Sequence, residues 1–253
     1  MAKLQKIKRL LGCKKMTMKL EDKEKWQTQI GSVERKFQKQ QPHIRNLFTK
    51  TMKLITSTYE THRHNITKFL NKLCPNGVGA EIGVKQGKFS KVLLSGWHDC
   101  KLFLIDPWEE QDKNVYDENI HDHESDYHKT IDNLKDFSRR YEIIRQYSND
   151  AHSNFAKNSL DFIYIDGNHS YEGVKSDLEL FYPKLKYGGV MMGDDYHAHD
   201  VEKVFGFTFG VKKAVDEFCF KNKHNISLNY YGDWHYAISD SEKIPSRNWM
   251  FIK

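Results

Sequence analysis

Two stretches of this chain put carboxylates where a cation could be held. One is Leu160-Asp161-Phe162-Ile163-Tyr164-Ile165-Asp166-Gly167-Asn168-His169-Ser170-Tyr171-Glu172. The other is Lys186-Tyr187-Gly188-Gly189-Val190-Met191-Met192-Gly193-Asp194-Asp195-Tyr196. Each contains a short apolar run that ends in acids, the pattern of a buried strand with polar side chains at its carboxyl end. Strands that are parallel neighbours deliver those ends to one crevice, so Asp166, Asp194 and Asp195 are expected to converge. Three carboxylates in one place repel one another unless a cation compensates them. Oxygen ligands suit a hard ion, Mg²⁺ first, with Mn²⁺ or Ca²⁺ as alternatives, and the Cys or paired-His spacing of a zinc site is absent. Helix-capping acids are the alternative without function.

A second constellation lies upstream. Gly79-Ala80-Glu81-Ile82-Gly83-Val84-Lys85-Gln86-Gly87 reads as a strand, a glycine-containing loop and a helix start. Such a loop lets a ligand approach the backbone at a helix N-terminus. The glycines Gly83 and Gly87 do not follow the Gly-x-Gly-x-x-Gly spacing of a dinucleotide site, so a cofactor without a pyrophosphate fits better. Glu81, near the end of its strand, could bond an amino group by charge-assisted hydrogen bonds. The next apolar run ends in Asp106, at about the spacing where an acid binds ribose hydroxyls in nucleotide-binding sheets. The competing reading is a capping Asp ahead of Pro107.

The elements that must position these residues follow from the rhythm of the chain. After Pro75-Asn76-Gly77, short runs rich in β-branched and aromatic residues alternate with amphipathic segments, the signature of a parallel sheet wrapped by helices. Strands are expected over 78–83, 101–106, 141–146, 160–166 and 189–194. Helices are expected over 88–94, 124–137, 151–155, 171–185 and 211–222. Ile226 to Tyr230 and Trp234 to Ser239, separated by Tyr231-Gly232-Asp233, read as an antiparallel hairpin. The segment from Trp108 to His128 is longer than a usual strand-to-helix loop and reads as a lid, with Trp108, Tyr116 and His121 as candidates to line a pocket. His197 and His199 follow the second acid pair closely enough to meet a substrate.

Taken in order, Glu-x-Gly-x-x-x-Gly, the acid-ended second strand, Asp-Gly-x-His-x-Tyr and Gly-Gly-x-x-x-x-Asp-Asp-Tyr resemble a class I S-adenosyl-L-methionine-dependent methyltransferase. Within that superfamily the chain resembles the metal-dependent sugar O-methyltransferases of the macrocin and mycinamicin type, and more remotely the catechol-type enzymes. The resemblance covers about residues 76 to 240. It implies an α/β, Rossmann-like seven-stranded sheet of order 3-2-1-4-5-7-6 with the last strand antiparallel. It also implies S-adenosylmethionine as methyl donor, Asp166, Asp194 and Asp195 as metal ligands, and a sugar or glycan hydroxyl as acceptor. Catechol-type relatives commonly have Asn at the third metal position and a Lys base three residues beyond the first metal Asp; here those places hold Asp195 and His169. A neutral imidazole suits proton removal near neutral pH, so His169 is assigned as the base, with Asp166 as the alternative. Asp166 also borders the donor site, as Trp108 does. Ser148 and Asp150, after the third strand, are candidates to contact the adenine, although a helix N-cap explains Asp150 as well.

Composition bounds the rest. The 253 residues, 38% hydrophobic and 13% aromatic, suffice for one α/β domain and an extension. Residues 1–75 carry 18 Lys and Arg against 5 Asp and Glu, and the remainder carries 22 against 29, beneath a net charge of +6. We therefore expect a basic helical extension over 1–75 and the methyltransferase domain over 76–253. The basic arm invites nucleic acid as a partner, but a solvated helical face is the favoured reading, and no Asn/Asp-Pro-Pro-aromatic motif follows the fourth strand. Four scattered cysteines suggest reduced thiols, and no apolar run is long enough to span a membrane. A cytoplasmic enzyme is therefore expected. Homo-oligomerisation is left open.

Overall fold

Short β-branched and aromatic runs become strands here, and the amphipathic stretches between them become helices packed on the sheet. The computed structural model describes residues 66–110, 122–196, 209–237 and 243–253, with backbone alone for 227–237 and 243–247. Tyr116, His121, His197, His199 and the helical pattern expected before residue 66 lie outside the described residues. The chain divides into two units, Met1–Tyr59 and Glu60–Lys253. The second unit carries every described element.

In chain order its elements are α1 (Ile66–Leu73), β1 (Val78–Ile82), α2 (Lys88–Gly96), β2 (Lys101–Ile105) and α3 (His123–Leu134). Then come β3 (Tyr141–Ile144), the short α4 (Ser148–Ala151), β4 (Leu160–Ile165), α5 (Tyr171–Phe181) and β5 (Leu185–Gly193). The last are α6 (Val211–Asn222), β6 (Ser227–Ala237) and β7 (Lys243–Ile252). Six strands in the order β3-β2-β1-β4-β5-β7 form the mixed sheet that carries the site, and β6 pairs with the outer side of β7 through its backbone. β1 to β5 pair in parallel, whereas β7 is antiparallel to β5. The α/β, Rossmann-like class expected from the sequence is the class observed.

Alternation along β4 sorts the core onto two faces. Phe162 and Tyr164 meet Trp97 and Phe89 on one side, with ring centroids 6.0 and 4.2 Å apart. Ile163 and Ile165 join Leu178, Phe181, Val215, Trp249 and Phe251 on the other. Each fully buried side chain of this size contributes about 1.5–3 kcal/mol, so the carboxyl ends of the central strands stand on a rigid base.

Three expectations need correction. Tyr231-Gly232-Asp233 is no hairpin turn: it lies inside β6, which pairs with β7. Between the partners Tyr230↔Arg247 and His235↔Pro245 the register shifts, so an irregularity absorbs those residues where a reversal was expected. β5 starts at Leu185, because Gly188, at φ 82, bends the strand without ending it. The helix expected over 151–155 is one turn, Ser148–Ala151, continued as a 3₁₀ segment over His152–Asn154.

Candidate active site

At the carboxyl end of β1 the chain turns through Gly83, at φ +83, so close to the end of β4 that an added Cβ would lie 2.0 Å from the Asp166 carbonyl oxygen. Only glycine fits such an approach without strain. The loop beyond is held from several sides. The Asp106 carboxylate accepts hydrogen bonds from the backbone N–H groups of Val84 and Lys85, each at 2.9 Å, and of Trp108 at 2.8 Å. The Lys85 carbonyl accepts from the Trp108 indole at 2.7 Å and from the Thr130 hydroxyl at 2.8 Å. Gln86 donates to Asp126 at 2.8 Å and accepts at its carbonyl from Asn133 at 2.9 Å. Lys85, Trp108 and Asp195 have φ values of 53, 45 and 54. Each follows the end of a different strand, and left-handed backbone at such residues collects at functional sites.

The other donor-side candidates from the sequence have the following surroundings. Glu81 is 1% exposed, and its carboxylate accepts from the Ser90 hydroxyl of α2 at 2.6 Å. Asp106 braces the glycine loop through three backbone donors and stays partly accessible, and burial raises its carboxyl above the usual range against those bonds. Trp108, a candidate to line the pocket, packs into the protein. It is 2% exposed, its indole N–H is engaged by Lys85, and its ring packs edge-on to Tyr127 at 5.2 Å. Ser148 opens α4 and bonds the Asp177 carboxyl, while Asp150 is exposed within that helix, whose N-cap is Tyr147.

Asp177, on α5, is 3% exposed, and burial pushes its carboxyl up to about 7 in spite of the Ser148 bond. In the unfolded chain an aspartate ionises near pH ~4. The native state therefore holds a proton that the unfolded state has released, so the stabilisation is complete below about pH 4 and is lost as pH rises through about 7. This group should lower unfolding free energy by up to about 4 kcal/mol across that interval. Urea titrations of Asp177→Asn should show a flatter pH dependence than the wild type. An unchanged slope would assign the dependence elsewhere.

On the other side of Gly83, β4 and β5 deliver Asp166 and Asp195 together. Ligand atoms of Asp166, His169 and Asp195 all lie within 4.8 Å of one another. The His169 Nε2 is 3.3 Å from the Asp166 Oδ1 and 3.4 Å from the Asp195 Oδ2. Asp166, Asn168 and His169 occupy a tight loop whose Asn168 side chain accepts from the Ser170 N–H at 2.9 Å, and Ser170 in turn caps α5 through the Gly173 N–H. The His169 ring stacks on Phe209 at 5.0 Å and 16°, and its carbonyl accepts from the Gly210 N–H at 2.8 Å. Its imidazole is therefore fixed in orientation.

Asp194 stands apart from this trio. Adjacent residues at a strand end point to opposite sides, and the Asp194 Oδ1 accepts from the Asn248 side chain at 2.7 Å and from the Asp195 N–H at 2.9 Å. Of the three aspartates expected to converge, Asp166 and Asp195 meet in a cluster that His169 joins, while Asp194 is bonded to Asn248. Asn248 is a residue that sequence reasoning missed. The one signal for it is a lone polar residue at the head of the apolar run Trp249-Met250-Phe251-Ile252. Two carboxylate oxygens and one imidazole nitrogen form a donor set that accepts Mg²⁺ or Mn²⁺, with the nitrogen shifting preference toward Mn²⁺.

Comparison with known proteins points the same way as the fold. Residues 80–196, which contain Glu81, Asp106, Asp166, His169 and Asp195, match the family described as a methyltransferase domain. Among solved structures it is similar to one from Staphylococcus aureus provisionally described as a caffeoyl-CoA O-methyltransferase. The TM-score is 0.51 and the identity 17%, over 74% of this chain and 81% of that one. It is also similar to an O-methyltransferase from Bacillus cereus in complex with S-adenosylhomocysteine, with a TM-score of 0.51 and 12% identity, over 82% and 91% of the two chains. Two curated relatives are uncharacterised proteins. One, from Sinorhizobium fredii, is 22% identical over 61% of this chain, which spans 17% of its length; the other, from Acanthamoeba polyphaga mimivirus, is 25% identical over 55%, spanning 61% of its length.

Proposed function

We propose that this protein is an S-adenosylmethionine-dependent O-methyltransferase that uses a divalent cation, Mg²⁺ or Mn²⁺, and acts on a hydroxyl of a sugar or glycan in the cytoplasm. The observation that carries the proposal is the meeting of Asp166, His169 and Asp195 within 4.8 Å at the carboxyl ends of β4 and β5, against the glycine loop of β1. Glu81 and Asp106 have the charge and position to take a donor's amino group and ribose hydroxyls. When bound, the donor supplies a methyl group on a positively charged sulfur. When bound, the cation acts as a Lewis acid that makes a hydroxyl easier to ionise. Asp166 and Asp195 hold that charge, and the His169 Nε2, fixed by Phe209 and by its own backbone bond to Gly210, takes the hydroxyl proton. Alignment of acceptor oxygen, methyl and sulfur is the other demand of an in-line displacement, and the short bridge from Gly83 to Asp166 sets the two half-sites against each other.

The closeness of the His169 Nε2 to both carboxylates favours a second reading, in which His169 is the third ligand and Asp166 the base. The sugar acceptor is supported by the Asp-Gly-x-His-x-Tyr and Asp-Asp-Tyr motifs of the resemblance. No helix among the described residues is long and apolar enough to cross a membrane.

A donor-turnover screen over free sugars, glycans, phenols and RNA, run in EDTA and with added Mg²⁺ or Mn²⁺, tests the proposal. Turnover on a sugar hydroxyl should vanish in EDTA and return with metal. Activity indifferent to EDTA would remove the cation, and turnover confined to phenols or RNA would remove the acceptor class.

A further inference from the structure

At the first position of α3 stands His123, a residue outside the trio of Asp166, His169 and Asp195. Its Nε2 is shielded from solvent and has no hydrogen-bond partner among the described residues. A buried imidazole nitrogen left unpaired costs about 1–3 kcal/mol, which native structures rarely leave without a counterpart. The ring lies within electrostatic reach of Asp106. Asp106 is already committed on its protein side to the N–H groups of Val84, Lys85 and Trp108. α3 cannot swing away easily, because Thr130 bonds the Lys85 carbonyl, Asp126 accepts from Gln86, and Asn133 bonds the Gln86 carbonyl. At its start, the Asp122 side chain accepts from the Ser125 N–H at 2.9 Å, which fixes the turn containing His123. An orphaned polar atom and a partly accessible carboxylate thus lie within electrostatic reach of each other on two braced elements.

We propose that His123 is a further donor-binding residue whose Nε2 hydrogen-bonds a ribose hydroxyl of a nucleoside held against Asp106. The vicinal diol of a ribonucleoside has two hydroxyls, each able to donate and accept. Asp106 can only accept when ionised, and the imidazole can complete the pair from the opposite side in either tautomer. The assignment rests on the reading of the space beside Asp106 as the donor site. It makes His123 a determinant of ribose over deoxyribose, a selection that Asp106 then shares.

Calorimetry on the full chain with S-adenosylhomocysteine and its 2′-deoxy and 3′-deoxy analogues provides the test. In the wild type, loss of the hydroxyl that meets His123 should weaken binding about fivefold to tenfold. His123→Leu should weaken S-adenosylhomocysteine by a similar factor and narrow the ribo-to-deoxy preference, leaving the acceptor KM unchanged, while His123→Gln should recover much of both. In the unsubstituted protein, the His123 ring resonances should shift on addition of S-adenosylhomocysteine and less with one deoxy analogue, a readout that does not depend on a variant folding. Wild-type affinity and preference in His123→Leu, or ring resonances unmoved by the ligand, would overturn the inference while leaving the methyltransferase reading intact. A wild-type protein that binds none of the three would overturn the donor site itself.

Discussion

Replacing His169 with alanine is expected to lower turnover by about 10²–10⁴-fold, the contribution of a positioned base, with affinity for S-adenosylhomocysteine unchanged. The ring lies 3.3 and 3.4 Å from two carboxylates and stacks on Phe209, so its removal deletes a group held in place beside both. Two further measurements decide which role it has. If His169 is the base, added imidazole should restore part of the rate, and the Mn²⁺ dissociation constant of the variant, read by paramagnetic relaxation, should stay near that of the wild type. If it is the third ligand, Mn²⁺ affinity should fall at least tenfold and imidazole should not rescue turnover. A variant with wild-type rate would remove His169 from the chemistry altogether.

Gly83→Ala is expected to cost about 2–6 kcal/mol, from left-handed backbone strain and from crowding in roughly equal parts. The added Cβ would meet backbone, with the Asp166 carbonyl oxygen at 2.0 Å and the Gly167 Cα at 2.6 Å, and neither can rotate aside as a side chain would. For a domain whose whole stability is about 5–15 kcal/mol the loss is severe. Urea denaturation should show a midpoint shift plain at any pH, and a midpoint within error of the wild type would mean that the β1 and β4 ends are not in contact in solution. By contrast, a substitution at exposed Asp150 should lie within about 0.5 kcal/mol of neutral.

The parts of the molecule legible in the sequence are those set by local pattern. β1 to β4 and the helix over 211–222 fall where apolar runs and helical spacing place them, because a strand buried on both faces and an amphipathic helix both write their environment into consecutive residues. Boundaries governed by partners are harder to read. Tyr231-Gly232-Asp233 has good turn chemistry, yet pairing with residues 243–252 carries the strand through it, and nothing in residues 226–239 reveals that neighbour. The site divides in the same way. The approach of Asp166 to Asp195 is legible because strand ends in a parallel sheet point into one crevice, whereas His169, in the loop beyond β4, is singled out only through the resemblance. The pairing of Asp194 with Asn248 is not legible, because it joins residues 54 positions apart through the antiparallel strand β7. The bond from the Trp108 indole to the Lys85 carbonyl is equally illegible, because it joins residues 23 positions apart across two loops.

The close approach of Gly83 to the Asp166 backbone also has a thermodynamic side. Where two ligands bind on either side of such a backbone junction and are coupled through it, whatever one does to the affinity of the other must be returned in equal measure. Under the proposed function, a dissociation constant for the methyl donor taken at one metal concentration would be a composite quantity, and so would a metal constant taken at one donor concentration.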